Sequence, residues 1–306
     1  MNTPQSANPH TADARTFEHQ VAGHGGIYSI GGGLIAKPNC ETERIFYEQS
    51  VTFPEFQNFL AKFYGTLRLA TSSERAMLEN AQANEAIIQN PITLSNSEQD
   101  CICIEDISSG FRKPCILDIK LGTRLYDDDA TSEKKARAIA NAEKTTSGSS
   151  GIRICGLKVY DRISKEYIEY PREFGRKLQE DGLLDAISKF FPPTFDAQYR
   201  LDIMDGFLSE LKEYLSVVEN LELRLYSSSI LFVYEGDPSG ESPSNGEGDA
   251  SDESDNEGHL FDFRVIDFAH SKWELGGGID EQYLFGLRNT LELFEKLRDS
   301  LMQENL

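Results

Sequence analysis

The chain has 306 residues, 39% of them hydrophobic, and a formal charge of −21 from 30 Lys and Arg against 51 Asp and Glu. That apolar content excludes a wholly disordered chain. The acidic surplus argues against direct nucleic-acid binding, no apolar run reaches the ~20 residues of a bilayer span, and residues 1–15 lack the apolar core of a secretory signal.

In chain order, residues 1–16 read as a disordered tail. Over 17–38, Gly25-Gly26 and Gly31-Gly32-Gly33 bracket β-prone pieces in a hairpin pattern, and Lys37 closes the strand begun by Leu34-Ile35-Ala36. A short helix is predicted over 41–49 and an amphipathic stretch over 56–64. A polar connection follows over 71–99. Residues 101–107 read as a buried strand ending in acids, and 115–122 as a second strand after a polar turn. Thr131 or Ser132 can cap a basic helix over 132–144. A Ser/Gly/Thr loop over 145–151 leads to a strand over 152–160.

A long amphipathic helix is predicted over 201–223, with Met204, Phe207, Leu208, Leu211, Leu215, Val218 and Leu221 on one face. The runs 230–234 and 261–268 read as hairpin partners. Between them lies 237–258, which holds eight acids and no Lys or Arg, so it reads as a disordered acidic insert. A helix carrying Leu284, Leu287, Leu291, Phe294 and Leu297 closes the chain. Strands and helices segregate, which favours an α+β protein over a doubly wound α/β fold. The five cysteines show no CxxC pair; Cys101, Cys103, Cys115 and Cys155 sit in apolar runs and read as buried thiols of a reducing compartment.

Four places can carry chemistry. Ile116, Asp118 and Lys120 share one face of their strand, because residues two apart point the same way. An Asp and a Lys in an apolar strand make either a buried ion pair or a site where both charges meet a ligand. Asp267 leaves an aromatic strand just before Phe268, where it is either a turn former or a carboxylate that holds Mg²⁺ over phosphates. Lys37 follows a glycine-rich hairpin whose N–H groups can cover phosphates. Glu105-Asp106-Ile107 is either a structural strand end, the default, or a segment that offers backbone groups to an adenine edge. The basic helix carries Lys134, Lys135, Arg137 and Lys144, and Arg153, Lys158, Arg172, Arg176 and Lys177 follow downstream. This is a cationic region inside an acidic chain, able to focus anions or simply to form a solvated face.

These residues resemble one family. Pro114 to Gly122 (PCILDIKLG) fits PxxxDxKxG, the signature of inositol polyphosphate kinases. Ser228 to Leu231 (SSIL) resembles their SSLL segment, Ile266 to Ser271 (IDFAHS) matches their IDFAHS segment, and Phe174 to Leu178 resembles a further one. Within the family, the short stretch between Gly122 and Ile152 is most similar to the multikinases, especially fungal ones. The GTR and SEKKAR segments keep the hexakisphosphate kinases as the alternative.

The resemblance implies a two-lobed fold related to protein kinases and SAICAR synthase: an antiparallel-sheet N-lobe over 17–107 and a larger α+β C-lobe over 108–306. It implies an ATP- and Mg²⁺-dependent kinase that converts inositol trisphosphate and tetrakisphosphate to pentakisphosphate. Lys37 would contact the ATP phosphates, Glu105 and Ile107 the adenine, with Leu231 as its apolar floor, and Asp118 the ribose. Lys120 would bridge the inositol phosphate and the transferred group, Asp267 would hold Mg²⁺, His270 would approach the ring, and Lys134 and Arg137 would bind substrate phosphates. It further implies soluble inositol phosphates as partners of a monomer in nucleus and cytoplasm. Transcription-factor partners, reached through the acidic insert, form a scaffold alternative.

Overall fold

The computed structural model of the chain describes residues 15–21, 26–67, 100–238 and 260–304. They fall into two compact units, one of 15–20, 26–40, 62–67 and 100–106, the other of 21, 41–61, 107–238 and 260–304.

The smaller unit carries an antiparallel sheet of β1 (Arg15–Thr16), β2 (Tyr28–Gly31), β3 (Leu34–Pro38), β4 (Phe63–Leu67) and β5 (Cys101–Glu105), ordered β1-β2-β3-β5-β4. The glycine hairpin is real. Gly31, Gly32 and Gly33 have φ of 81°, 62° and 71°, a left-handed run that side-chain-bearing residues adopt only at a cost. Its core is Ile30, Ala36, Cys101 and Cys103 under Tyr28, Leu34 and Leu67. The expected tail is shortened, because Arg15 and Thr16 pair with Ser29 and Tyr28. Residues 1–14 and the polar connection over 71–99 lie outside the described residues.

The larger unit opens with α1 (Glu41–Ser50) and α2 (Pro54–Gln57). Its sheet holds β6 (Pro114–Leu121), β7 (Ile152–Asp161), β8 (Glu166–Tyr170), β10 (Ser229–Glu235) and β11 (Phe261–Ile266), antiparallel throughout in the order β11-β10-β6-β7-β8. A two-stranded ribbon pairs β9 (Leu223–Leu225) with β12 (Ser271–Trp273). The remaining helices are α3 (Ser132–Glu143), α4 (Thr146–Ser150), α5 (Arg172–Lys177), α6 (Leu183–Ser188), α7 (Ala197–Val218) and α8 (Glu281–Glu304). Among the described residues no helix is long and apolar enough to cross a membrane.

Several expectations are corrected here. The smaller lobe was expected to span 17–107, but 41–61 and Ile107 group with the larger unit. The reason is aromatic: Phe46 stacks on Phe268 at 4.4 Å and on Trp273 at 5.2 Å, and Phe56 meets Tyr214 at 6.1 Å. The amphipathic stretch over 56–64 divides between α2 and β4, with Pro54 starting the short helix. The loop expected over 145–151 contains α4, which buries Thr146, Ser147 and Ser150 and ends on Gly151 at φ 67°. Helix α7 begins earlier than expected because Asp196 caps it, accepting from the backbone N–H groups of Gln198 and Tyr199 at 2.9 and 3.2 Å. Its buried stripe includes Tyr214, whereas Leu215 is only half-buried. The hairpin of β10 and β11 forms as expected, with Tyr234 opposite Phe261. Most of the acidic insert, 239–258, lies outside the described residues.

One face of the large sheet packs on α7 and α8 through a continuous aromatic layer. Phe207, Phe232 and Phe294 have ring centroids 4.9–6.4 Å apart, and all are fully buried. Burial of such rings is the main stabilising term of this unit. Helix α8 approaches the strand ends at Gly286, where an added Cβ would lie 2.2 Å from the Gly151 carbonyl oxygen and 2.9 Å from the Gly122 nitrogen. Neither neighbour is a flexible side chain. Gly286→Ala is therefore expected to lower the melting temperature, the clash of roughly 1–3 kcal/mol outweighing the ~1 kcal/mol helix-propensity gain. A thermal melt followed by circular dichroism checks this, and a raised melting temperature would show that the close approach relaxes freely.

Candidate active site

Strand β6 sets the site within the larger unit. Leu117, Ile119 and Leu121 face the aromatic layer and are fully buried. Ile116, Asp118 and Lys120 face the other way. Register extends this second face: Val233, Leu231 and Ser229 of β10 stand opposite Ile116, Asp118 and Lys120. On the other side, Lys158, Gly156 and Arg153 of β7 oppose the same three. The face is therefore graded. Its apolar end packs Ile116, Val233 and Phe111 with Val21, Ile107 and Leu231. Its polar end carries Asp118, Lys120, Ser229 and Arg153. A bulge between Asp118 and Ile119, with Cys155 as the extra residue, turns Arg153 rather than Ile154 onto the polar end.

Asp118 is 4% exposed, and its Oδ1 atom has no hydrogen-bond partner among the described residues. Burial, then the charge of Asp267, raises its carboxyl to about 6; Lys120, the Ser229 hydroxyl and Arg153 pull the other way. Lys120 does not close an ion pair with it. The Lys120 ammonium donates to the Ser227 carbonyl, at a turn where Ser227 has φ 60° and its hydroxyl donates to the Leu125 carbonyl at 3.2 Å. Of the two readings of this Asp and Lys, the closed ion pair is not formed. What remains is a buried carboxylate with an unused acceptor.

Asp267 sits just past β11 with φ 67°, a left-handed conformation that is uncommon for a non-glycine residue. The turn is fixed from both sides. Phe268 is wholly buried on Phe46, and its backbone N–H donates to Glu43 Oε1 at 3.4 Å. The charge of Asp267 acts on Asp118 and also on Tyr47, whose hydroxyl is pushed well up, chiefly by burial. Asp118 and Asp267 thus lie within electrostatic reach of each other. No site of three or more carboxylate, imidazole or thiol groups is built among the described residues. A carboxylate pair fits a hard divalent ion of the Mg²⁺ type, which takes one or two carboxylates and fills its remaining positions with phosphate oxygens and water.

His270 is 47% exposed, with Nδ1 2.6 Å from Asp127 Oδ2. Lys272 pairs with Asp128 at 2.6 Å, Arg124 pairs with the same carboxylate, and the Lys135 ammonium donates to the Asp128 carbonyl at 2.8 Å. These contacts pin the loop between β6 and α3 to the segment after Asp267. Thr131 caps α3, accepting from the Lys134 N–H at 3.3 Å, and the helix buries only Ala142. Lys134 and Arg137, three residues apart, remain exposed.

In the smaller unit, Lys37 lies on β3 opposite Ile102. The Glu105 N–H donates to the Lys62 carbonyl at 2.9 Å, Glu105 Oε2 accepts from the Lys62 N–H at 3.1 Å, and the Asp106 N–H donates to the Gly33 carbonyl at 2.8 Å. The end of β5 is thereby tied to the glycine turn. The Glu105 N–H is thus taken up within the smaller unit. Ile107 belongs to the larger unit, at the apolar end of the graded face.

Glu43 and Ser229 escaped the sequence reading, and Arg153 received no role in it. Glu43 had a signal: it shares the spacing of Phe46, Tyr47 and Ser50, all buried on one face of α1.

An antiparallel α+β unit with a paired carboxylate, a lysine on the same strand and a glycine hairpin elsewhere in the chain defines a phosphotransferase of kinase type. The family model of inositol polyphosphate kinase matches residues 101–295. The inositol polyphosphate multikinase of Saccharomyces cerevisiae is 30% identical over 92% of this chain and 98% of its own length. Mouse inositol hexakisphosphate kinase 3 is 33% identical over 65% of this chain, which spans about half of that relative's length. A crystal structure of an inositol phosphate multikinase from S. cerevisiae in complex with ADP and Mn²⁺ aligns with a TM-score of 0.67 at 29% identity, covering 87% of this chain and 99% of that one. The chain belongs to the inositol polyphosphate kinase family.

A buried carboxyl raised in the folded state makes folding less favourable as pH rises from its unfolded value near 4 to about 6. Asp118→Asn is therefore expected to be more stable than the wild-type apo-protein at pH 8, by about 3 kcal/mol, and to melt higher there, with the difference gone at pH 4. Paired melts at the two pH values check this; equal or lower stability of the variant at pH 8 would show that the carboxylate is already compensated.

Proposed function

We propose that the protein is an ATP-dependent inositol polyphosphate multikinase that phosphorylates inositol trisphosphate and tetrakisphosphate to pentakisphosphate. The end-to-end match to the yeast multikinase, 98% of its length against 51% of the hexakisphosphate kinase, carries this choice. The match to the hexakisphosphate kinases at 33% identity supports the alternative acceptor, inositol hexakisphosphate.

The graded face supports a division of labour. At its apolar end, Leu231 and Ile107 would cover the adenine, with the Glu105 carbonyl as acceptor for its amino group. The free oxygen of Asp118 would accept from a ribose hydroxyl, satisfying a buried carboxylate oxygen that has no partner among the described residues. Asp267 together with Asp118 would hold the divalent ion, Mg²⁺ in our reading, which when bound neutralises charge on the transferring phosphoryl group. Lys37 would meet the nucleotide phosphates. Lys120, already oriented by the Ser227 carbonyl, would stabilise charge between donor and acceptor. Lys134 and Arg137 would bind acceptor phosphates from α3, and His270, steadied by Asp127, would stand beside the acceptor ring. Phosphoryl transfer needs positioning and charge neutralisation more than covalent chemistry, and this set supplies both.

We also propose a monomer working in nucleus and cytoplasm. Five free cysteines, four of them buried, support a reducing compartment. Transcription-factor partners acting through the acidic insert remain a separate reading; deletion of 239–258 that abolishes partner binding while kinase activity persists would support it.

The test is incubation with ATP, Mg²⁺ and single inositol phosphates, with products resolved by chromatography. Conversion of the tris- and tetrakisphosphates is expected; product from hexakisphosphate alone would overturn the multikinase assignment. Lys120→Ala and Asp267→Ala are each expected to lower kcat by about 10²-fold or more in a folded protein. Near wild-type turnover in either would remove that residue from the chemistry.

A further inference from the structure

Three arginines next to the site have no role in this reading. Arg153 is 5% exposed, and its Nε atom has no hydrogen-bond partner among the described residues. Its only contact through the other nitrogens is a 4.0 Å approach of Nη2 to Cys155 Sγ, and no carboxylate pairs with it among the described residues. A buried cation that closes no ion pair and leaves a donor unpaired is unfavourable in a purely structural role. The β7 bulge nevertheless turns it onto the polar end of the sheet face, opposite Lys120 and close enough to Asp118 to act on its charge.

Helix α5 adds two more positive charges. It docks on β7 so closely that a Cβ on Gly175 would fall 1.8 Å from the Ile154 carbonyl oxygen, so only glycine allows the approach. Arg172 and Arg176 stand four residues apart on that helix, one above the other. Their crowding with Arg153 is felt at Arg172, whose guanidinium is disfavoured first by burial, then by Arg176 and by Arg153. Like charges gathered in this way favour an anionic ligand.

We propose that Arg153, Arg172 and Arg176 form a second phosphate-binding cluster, which contacts ring phosphates of the acceptor beyond those met by α3 and favours more highly phosphorylated acceptors. Arg153 lies at the polar end of the face, opposite Lys120 and away from the apolar end assigned to adenine, and the docking of α5 brings the other two arginines to its strand, so the cluster serves the acceptor rather than the nucleotide. Arginine suits this task because its fork of donors matches phosphate oxygens in pairs.

This proposal rests on the kinase reading above, and the experiment separates the two. Wild type, Arg153→Lys, Arg153→Met and Arg176→Gln are compared for KM and kcat with inositol trisphosphate and tetrakisphosphate, and for ADP binding by calorimetry. Arg153→Met and Arg176→Gln are expected to raise KM for the tetrakisphosphate by about tenfold or more, more than for the trisphosphate. ADP affinity should hold within about twofold, Arg153→Lys should recover part of the loss, and the KM differences should shrink at high salt. Arg176→Gln alters an exposed residue, so it tests the idea even if Arg153→Met fails to fold. Unchanged KM in folded Arg176→Gln and Arg153→Lys proteins overturns the cluster while leaving the kinase assignment standing. A parallel loss of ADP affinity overturns it as well, since that marks a general disturbance of the sheet. No wild-type turnover of either acceptor overturns the kinase reading and the cluster with it.

Discussion

A carboxylate held inside a protein with one oxygen unpaired is the constraint on which the rest of this structure turns. Asp118 is buried on a central strand, is raised toward neutrality by its surroundings, and is approached by a second acid, Asp267. None of this favours folding. The cost is tolerable only because the opposite face of the same strand is anchored in an aromatic layer of Phe207, Phe232, Phe263 and Phe294. One strand therefore does two jobs through its period of two: the odd-numbered residues from Leu117 to Leu121 stabilise, and Asp118 and Lys120 on the other face stay poised for ligand.

The same separation recurs around the site. Asp267 keeps a left-handed backbone because the next residue, Phe268, is locked against Phe46 and tied to Glu43. Lys120 gives its donor to a carbonyl rather than to Asp118, so a cation is positioned without quenching the acid beside it. The loop bearing Asp127 and Asp128 is clamped by His270, Lys272 and Arg124. That spends acidic charge on holding the loop, so α3 can present Lys134 and Arg137 to solvent. In each case a rigid contact one or two residues away fixes a group that the site itself leaves under-satisfied.

How much of this was legible in the sequence depended on how local its cause was. Asp118 and Lys120 stood out because charge in an otherwise apolar strand is visible from alternation alone. The β10–β11 hairpin and the helix capped by Thr131 were likewise written in short segments. The bulge at Cys155 was not, since it depends on the register between β6 and β7 and leaves every residue type plausible in a simple strand. The assignment of 41–61 to the larger unit was hidden for a similar reason: Phe46, Phe56 and Trp273 find one another across more than 200 residues. The turn of α4 was masked by its composition, because Ser, Thr and Gly signal a loop until burial overrides propensity. Glu43 lay in plain view on a buried stripe, but an acid at a core position is recognised as functional only when the group it supports is known.

Net charge sharpens the electrostatic problem. A chain of −21 repels polyanions at long range, so neither donor nor acceptor can be steered in by the molecule as a whole. Attraction has to come from cations close to the ligand, within the ~8 Å over which salt leaves charges unscreened. At that range the number and placement of arginines and lysines decide affinity, and acceptors differing by one phosphate become distinguishable because each added phosphate finds or misses a specific donor. An acidic exterior then works with the site: it discourages other polyanions, nucleic acids among them, that make no close contact with Lys120 and Arg153.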